Sequence, residues 1–338
     1  MRIAKALPEQ FEITGVVTRS KEKAKRFSGE FGVRCYTTAD ELFVGSKPSF
    51  VVVCVGGSAS VDITLDLLRK DMPVLLETPP ARDYETLCRF HESLPKNALI
   101  QVAEQYSFQP MHSARLAYIA QGKLGTLQHA HISYTHGYHG IALMRKYLGI
   151  GYENAQITAK SFPVSVLEGF SREGEPKTER IVENMQTVAV LDFDGKTGLY
   201  NFEMNQHRSW VRSPIIQVKG ERGEIFDNKI KYLKDYKTPI ESEFIRKDLG
   251  DENFEGYDLK GIFADGGWYY NNPYRDSRLV DDEIAVAYCL ASMDKYVQGG
   301  ASFYSLEEAS QDLYLSLMIE EAARSGIAVD TKTQMWAE

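Results

Sequence analysis

The sequence predicts an α/β protein of two domains, a parallel-sheet domain over residues 1–107 and an α+β domain over residues 108–338 with a large open antiparallel sheet. Three observations predict it. A length of 338 residues exceeds what one ordinary core organises. The first hundred residues alternate short apolar runs with amphipathic stretches, the pattern of βαβ units. After Ser107 the strands lengthen, and hairpin turn residues join them.

In order, Met1 to Gln10 reads as an amphipathic helix, with Ile3, Ala4 and Leu7 as its stripe. Glu12 to Thr18 is a β-rich run. Ser20 caps a charged helix that stops at Gly32. A short helix covers Thr38 to Val44. Ser49 to Val55 (SFVVVCV) is a continuous apolar run, as a parallel strand buried on both faces requires. Ser60 to Lys70 is helical, Pro73 to Leu76 a strand, Asp83 to Leu94 a helix and Ala98 to Ala103 a strand.

In the second half, a helix over Pro110 to Gln121 leads into strands at Thr126–Thr135, Gln156–Phe162, Thr187–Phe193, Gly198–Asn205 and Pro214–Gly220. Asp194-Gly195 marks a hairpin between two of them. Residues 235–280 are aromatic, glycine-rich and irregular, which predicts a long functional loop. Leu306 to Ser325 closes the chain as a helix capped by Ser305.

The composition is 43% hydrophobic and 25% charged, an ordinary soluble globular balance, and the net charge of −8 argues against nucleic acid or an anionic membrane as partner. Cys35, Cys54, Cys88 and Cys289 are scattered without ligand spacing, so they read as small hydrophobes in a reducing, cytoplasmic setting. No signal peptide is visible, and the apolar runs are of strand length. His129 and His131 share a strand face close to His136, but no carboxylate or cysteine joins them at ligand spacing, so no metal is expected.

Four segments, in their order and spacing, resemble the Gfo/Idh/MocA family of nicotinamide-dependent oxidoreductases over essentially the whole chain. GVVTRSKEKAKRFSGEFGV resembles a second strand and helix of its cofactor domain. SFVVVCVGGSASVDITLDLLRKDMPVLLETPPA resembles the strand, helix and Glu-Lys-Pro turn at the nicotinamide pocket. GKLGTLQHAHISY resembles the first strand of the second domain, and GYHGIALMRKYLG the Gly-x-His segment that opens a helix. The resemblance implies a Rossmann-like domain followed by a substrate-binding sheet. It also implies a small-molecule substrate such as a sugar, inositol or related polyol, and a homodimer or homotetramer formed through the open sheet face.

Against that family pattern, the first strand and its glycine-rich phosphate loop are missing, and Met1 to Leu7 looks like the helix that follows them. A late start, a trimmed sequence and a lost cofactor site compete as explanations. As written, the chain is expected to bind a dinucleotide weakly or not at all. The tip of the second strand, Thr18-Arg19-Ser20, carries no carboxylate for ribose hydroxyls. Between NAD and NADP this leans toward NADP. Val55, Gly56 and Gly57 would line the cofactor, together with Glu77, Pro79 and Gln105, Pro79 fixing the turn through a cis bond.

Hydride transfer at an alcohol carbon needs a proton acceptor and a donor to the oxygen. By resemblance the acid/base is His139. Thr78 stands at the lysine position and Thr135 at the aspartate position, so both are neutral. Thr78 donates a hydrogen bond but supplies no positive charge. Three replacements are conceivable: Lys146, two turns along the helix from His139; His136 and Tyr138 beside it; and the strand end Glu104-Gln105-Tyr106. For substrate, Tyr106, His136, His207, Trp210 and Trp268 offer donors and aromatic faces suited to sugars.

Two function classes follow. The leading one is an NAD(P)-dependent oxidoreductase acting on CH–OH groups, with His139 moving the proton and Thr78 polarising the oxygen. The other is a catalytically silent ligand sensor on the same fold, favoured by the loss of lysine and aspartate. Redox-neutral chemistry, such as dehydration through a transient oxidation, is a third use of the same pocket.

Overall fold

The computed structural model describes residues 1–56, 59–171, 174–250 and 256–337. Helix α1 (Arg2–Ala6) is followed by β1 (Val16–Val17), α2 (Lys21–Phe31), β2 (Cys35–Tyr36), α3 (Ala39–Gly45), β3 (Val51–Val53), α4 (Ala59–Leu68), β4 (Val74–Leu76), α5 (Tyr84–Glu92) and β5 (Ile100–Val102). Side-chain oxygens of Ser20, Thr38 and Asp83 cap α2, α3 and α5 by accepting a backbone N–H from the first turn. Gly32 ends α2 in the left-handed region, at φ 69°.

All strand pairings in this half are parallel, but they form two sheets, β1-β2 and β3-β4-β5. The β-rich run Glu12–Thr18 is therefore a strand only at Val16–Val17, which pairs along one edge alone. A second expectation is also corrected. Of SFVVVCV only Val53 is buried, whereas Val52 and Val55 are 42% and 45% exposed and Cys54 is exposed too. Burial on both faces belongs instead to the central β4, where Val74, Leu75 and Leu76 are at most 1% exposed. Helix α4 side chains cover one of its faces and Cys289 and Met293 the other.

A short 3-10 turn (Tyr106–Phe108) leads into α6 (Pro110–Ile119), β6 (Leu127–Ser133), α7 (Gly137–Leu148), β7 (Gln156–Leu167), β8 (Ile181–Asp192) and β9 (Thr197–Phe202). Then come β10 (Ile215–Gly220), β11 (Gly223–Phe226), β12 (Lys229–Leu233), β13 (Pro239–Glu243), β14 (Ile245–Leu249), β15 (Asp258–Ala264) and β16 (Gly267–Asn271). Helices α8 (Asp281–Val297) and α9 (Leu306–Ser325) and strand β17 (Val329–Asp330) close the chain.

The large sheet has nine strands in the order β13-β12-β11-β10-β6-β9-β8-β7-β17. It is mixed rather than purely antiparallel, because β6 and β9 run parallel. A parallel neighbour needs a long crossover, and α7, β7 and β8 supply it. The predicted β8–β9 hairpin turns at Asp194-Gly195, with φ of 56° and 99°. Residues 235–280 are not one irregular loop. They complete β13 and build a separate antiparallel sheet, β14-β15-β16. Its β15–β16 turn, Asp265-Gly266, has φ of 50° and 79°, the same two-residue hairpin geometry.

One face of the nine-stranded sheet is covered by α7 and α9 over Ala130, Ile132, Ile157, Leu191, Ile216 and Val218. On the opposite face the register sets Thr158, Val190, Leu199, His131, Gln217 and Phe226 in one row across six strands. Helix α9 also joins the two halves, since Leu313 and Tyr314 pack in one core with Val61, Leu76, Phe90 and Val102. Each large apolar side chain buried there stabilises the fold by about 1.5–3 kcal/mol.

Candidate active site

Three chain segments converge where the parallel strands end. Strand β4 runs into Glu77-Thr78-Pro79, whose Thr78–Pro79 bond is cis as expected. Strand β5 runs into Ala103-Glu104, and α7 opens at Gly137, which takes φ 32° after His136. His139 thus sits in the first turn of α7, facing the end of β5.

His139 Nδ1 lies 2.6 Å from Glu104 Oε2, with Glu104 fully buried and His139 8% exposed. Glu104 Oε1 accepts the Tyr106 backbone N–H at 3.1 Å. An ionised carboxylate only accepts, so the hydrogen of this contact belongs to Nδ1. Nε2 makes no hydrogen bond among the described residues and is the nitrogen left for chemistry. The rings of Tyr106, His136 and Tyr138 pack around the imidazole at 4.7, 5.0 and 5.1 Å between centroids.

The electrostatics mark the same spot. Crowding by protein raises the pKa of Glu77, hydrogen bonds from Thr78 and the His139 charge oppose the rise, and Glu104 reinforces it. His136 is pushed down to about 4, first by burial and then by His139 and His207. Burial also raises Tyr106, with the Thr135 hydroxyl opposing the rise. Two carboxylates and two histidines that sense one another at strand ends mark a candidate acid–base centre.

The other residues named from the sequence lie at several places in the fold. Thr78 belongs to the centre, its hydroxyl donating to Glu77 Oε1 at 3.4 Å, and His207 is brought near His136. Gln105 caps the following 3-10 turn through its carbonyl. Val55 and Gly56 follow β3 toward the same ends, and a Cβ on Gly56 would meet open space. Gly57 lies outside the described residues. At the tip of β1, Arg19 is exposed, while Thr18 accepts from the Ser20 N–H and Ser20 caps α2.

Three residues are not brought to His139. Lys146 turns to α9, where it pairs with Glu308 and lies 4.8 Å above the Tyr304 ring. The helical spacing is right, but the carboxylate and the aromatic face hold the ammonium elsewhere. Trp210 is 80% exposed beside Phe170. Trp268 belongs to the three-stranded sheet, against Phe263 and under Lys260.

Sequence reading missed a cavity of about 490 Å³ lined by Gln109, Tyr134, Arg246, Arg278, Asp281 and Asp282, among others. Tyr134 packs edge-on against Tyr106 at 6.3 Å, which sets the cavity one aromatic layer from His139. Gln109 bonds Asp282 at 2.6 Å, and Arg246 pairs with Asp281 at 2.8 Å. The polar start of α8 was its only signal in the sequence.

Residues 2–105 match the model of an oxidoreductase family with an NAD-binding Rossmann fold, GFO_IDH_MocA. The match ends with that domain, so the similarity in sequence to the Gfo/Idh/MocA oxidoreductases is one of residues 2–105. Solved structures extend the likeness in fold to the second domain. An oxidoreductase from Agrobacterium radiobacter, solved with NAD+, L-tartaric acid and magnesium, is 16% identical with a TM-score of 0.66, over 97% of this chain and 94% of that one. A levoglucosan dehydrogenase, solved with NADH and levoglucosan, is 14% identical with a TM-score of 0.68 over the same shares. A myo-inositol dehydrogenase from Corynebacterium glutamicum is 17% identical with a TM-score of 0.66, over 98% of this chain and 96% of that one. No curated protein sequence matches the chain.

The nicotinamide end of a dinucleotide fits the residues present. Exposed Val55, open space beside Gly56 and the Glu77–Pro79 turn sit at the carboxyl ends of adjacent parallel strands, where such ligands bind. Among the described residues no group of three or more His, Cys, Asp or Glu is placed to hold a metal. No described helix is long and apolar enough to cross a membrane.

Proposed function

We propose that this chain is an NAD(P)-dependent oxidoreductase acting on CH–OH groups of a sugar, polyol or related hydroxy or keto compound. The observation that carries the reading is a histidine with one free ring nitrogen at the strand ends of an NAD-binding domain, beside Glu77 and Thr78. The dinucleotide, held by Val55, Gly56, Glu77 and Pro79, supplies the two-electron chemistry. His139 Nε2 takes the hydroxyl proton when the alcohol is oxidised and returns it in reduction. Thr78 donates to the substrate oxygen as charge develops. The cavity beside Tyr134 pairs arginine and aspartate side chains, which suit a ligand rich in hydroxyls.

Three further parts of the reading rest on single features. Arg19, with no carboxylate at that strand tip, leans the cofactor toward NADP. Four free cysteines suit a reducing, cytoplasmic setting. The uncovered face of the nine-stranded sheet exposes Phe162, Val190 and Phe226 by 39%, 39% and 41%, and we assign it to a homodimer or homotetramer contact.

The test is a fluorescence titration of NADH and NADPH, followed by turnover on a panel of sugars and polyols. Weak but saturable binding, with turnover abolished by His139→Ala and cofactor affinity holding, is the expected result. Absence of binding overturns it. A second reading, ligand sensing without turnover, draws on the neutral side chains at Thr78 and Thr135. Binding of a polyol without dinucleotide would favour it.

A further inference from the structure

We infer that Glu104 is the positioning residue of the acid–base centre, fixing His139 as the Nδ1–H tautomer and presenting a basic Nε2 to the substrate. This rests on the reading of His139 as the acid/base. The carboxylate comes from the end of β5, thirty-five positions away in sequence, rather than from the histidine's own helix. Thr135, four positions before His139 and outside α7, is uncharged and its buried hydroxyl makes no hydrogen bond to the ring.

The geometry leaves Glu104 little freedom. One oxygen is occupied by the Tyr106 N–H at 3.1 Å and the other by His139 Nδ1 at 2.6 Å, with the side chain fully buried. Tyr106 closes one side of the imidazole at 4.7 Å, so the same short segment, Glu104 to Tyr106, holds the ring by its edge and by its face. A neutral histidine keeps one hydrogen, and a buried acceptor on Nδ1 leaves Nε2 as the acceptor.

Glu104→Gln makes this falsifiable. The amide oxygen stays on the Tyr106 N–H, so the amide nitrogen faces Nδ1. Nδ1 must then accept, and the ring hydrogen moves to Nε2, where it blocks proton uptake. Nitrogen chemical shifts of His139, assigned by difference against His139→Gln, are expected to switch from Nδ1–H in the unaltered chain to Nε2–H in Glu104→Gln. The turnover number should fall on the order of 100-fold or more, with KM and dinucleotide affinity nearly unchanged. Glu104→Asp, which keeps an acceptor, should recover much of the loss.

An Nδ1–H ring in Glu104→Gln, or equal losses in the Gln and Asp variants, overturns the assignment. The tautomer is read without turnover. If no substrate is converted even by the unaltered chain, a tautomer switch still upholds Glu104 while the oxidoreductase reading fails.

Discussion

Lys146 and Glu308 hold each other across the interface of α7 and α9, two helical turns from His139, with the ammonium over the Tyr304 ring. The ion pair explains why a lysine on the right helix does not serve the acid–base centre. Lys146→Met should leave turnover within about threefold and cost about 0.5–1 kcal/mol of stability, as a half-exposed pair does. A loss of turnover as large as that of His139→Ala would return Lys146 to the site.

Arg145, the neighbouring residue, behaves differently. Its guanidinium meets Asp312 where both side chains are at most 4% exposed, and Tyr304 donates to the same carboxylate. Arg145→Met leaves Asp312 buried without its partner, so stability should drop by about 3–5 kcal/mol. Urea unfolding of the variant measures it. An unchanged midpoint would mean that the carboxylate takes up a proton at little cost.

Stability should fall as the solution is acidified from neutrality. His136 titrates at about 4 in the folded chain, below its ordinary value, so the unfolded chain binds more protons between these pH values. Its contribution is present above the unfolded pKa of about 6.5 and lost as pH falls through about 4. Burial lowers His91, His112, His129 and His131 in the same sense. Asp312 opposes them. Burial raises it to about 6, so its contribution is full below the usual carboxylate range and lost as pH rises through about 6. Denaturant midpoints across this range should fall toward acid, less steeply in His136→Gln and more steeply in Asp312→Asn.

Placing a charge in the exposed row of the large sheet should break self-association. Val190→Glu sits beside Thr158 and Leu199 on the uncovered face, away from the acid–base centre. Sedimentation should show an oligomer for the unaltered chain and a monomer for the variant, with the folded spectrum retained. An unaltered chain that sediments as a monomer would end the assignment of that face.

The amino-acid sequence by itself determined the alternation of the first half, the helix caps at Ser20 and Ser305 and the hairpin at Asp194-Gly195. Each is a local effect, in which a side chain or a backbone dihedral acts within a few residues. Family likeness reached the strand ends and His139 through short motifs, because the turn after β4 and the start of α7 are each built from residues contiguous in sequence. Tertiary structure decided the rest. It chose Glu104 as the partner of His139 and took Lys146 away to Glu308. It folded described parts of residues 235–280 into strands and set the cavity between Gln109, Tyr134, β14 and the start of α8. Such choices depend on which distant charge or apolar face the packed backbone brings within a few ångströms, and no local pattern encodes that distance.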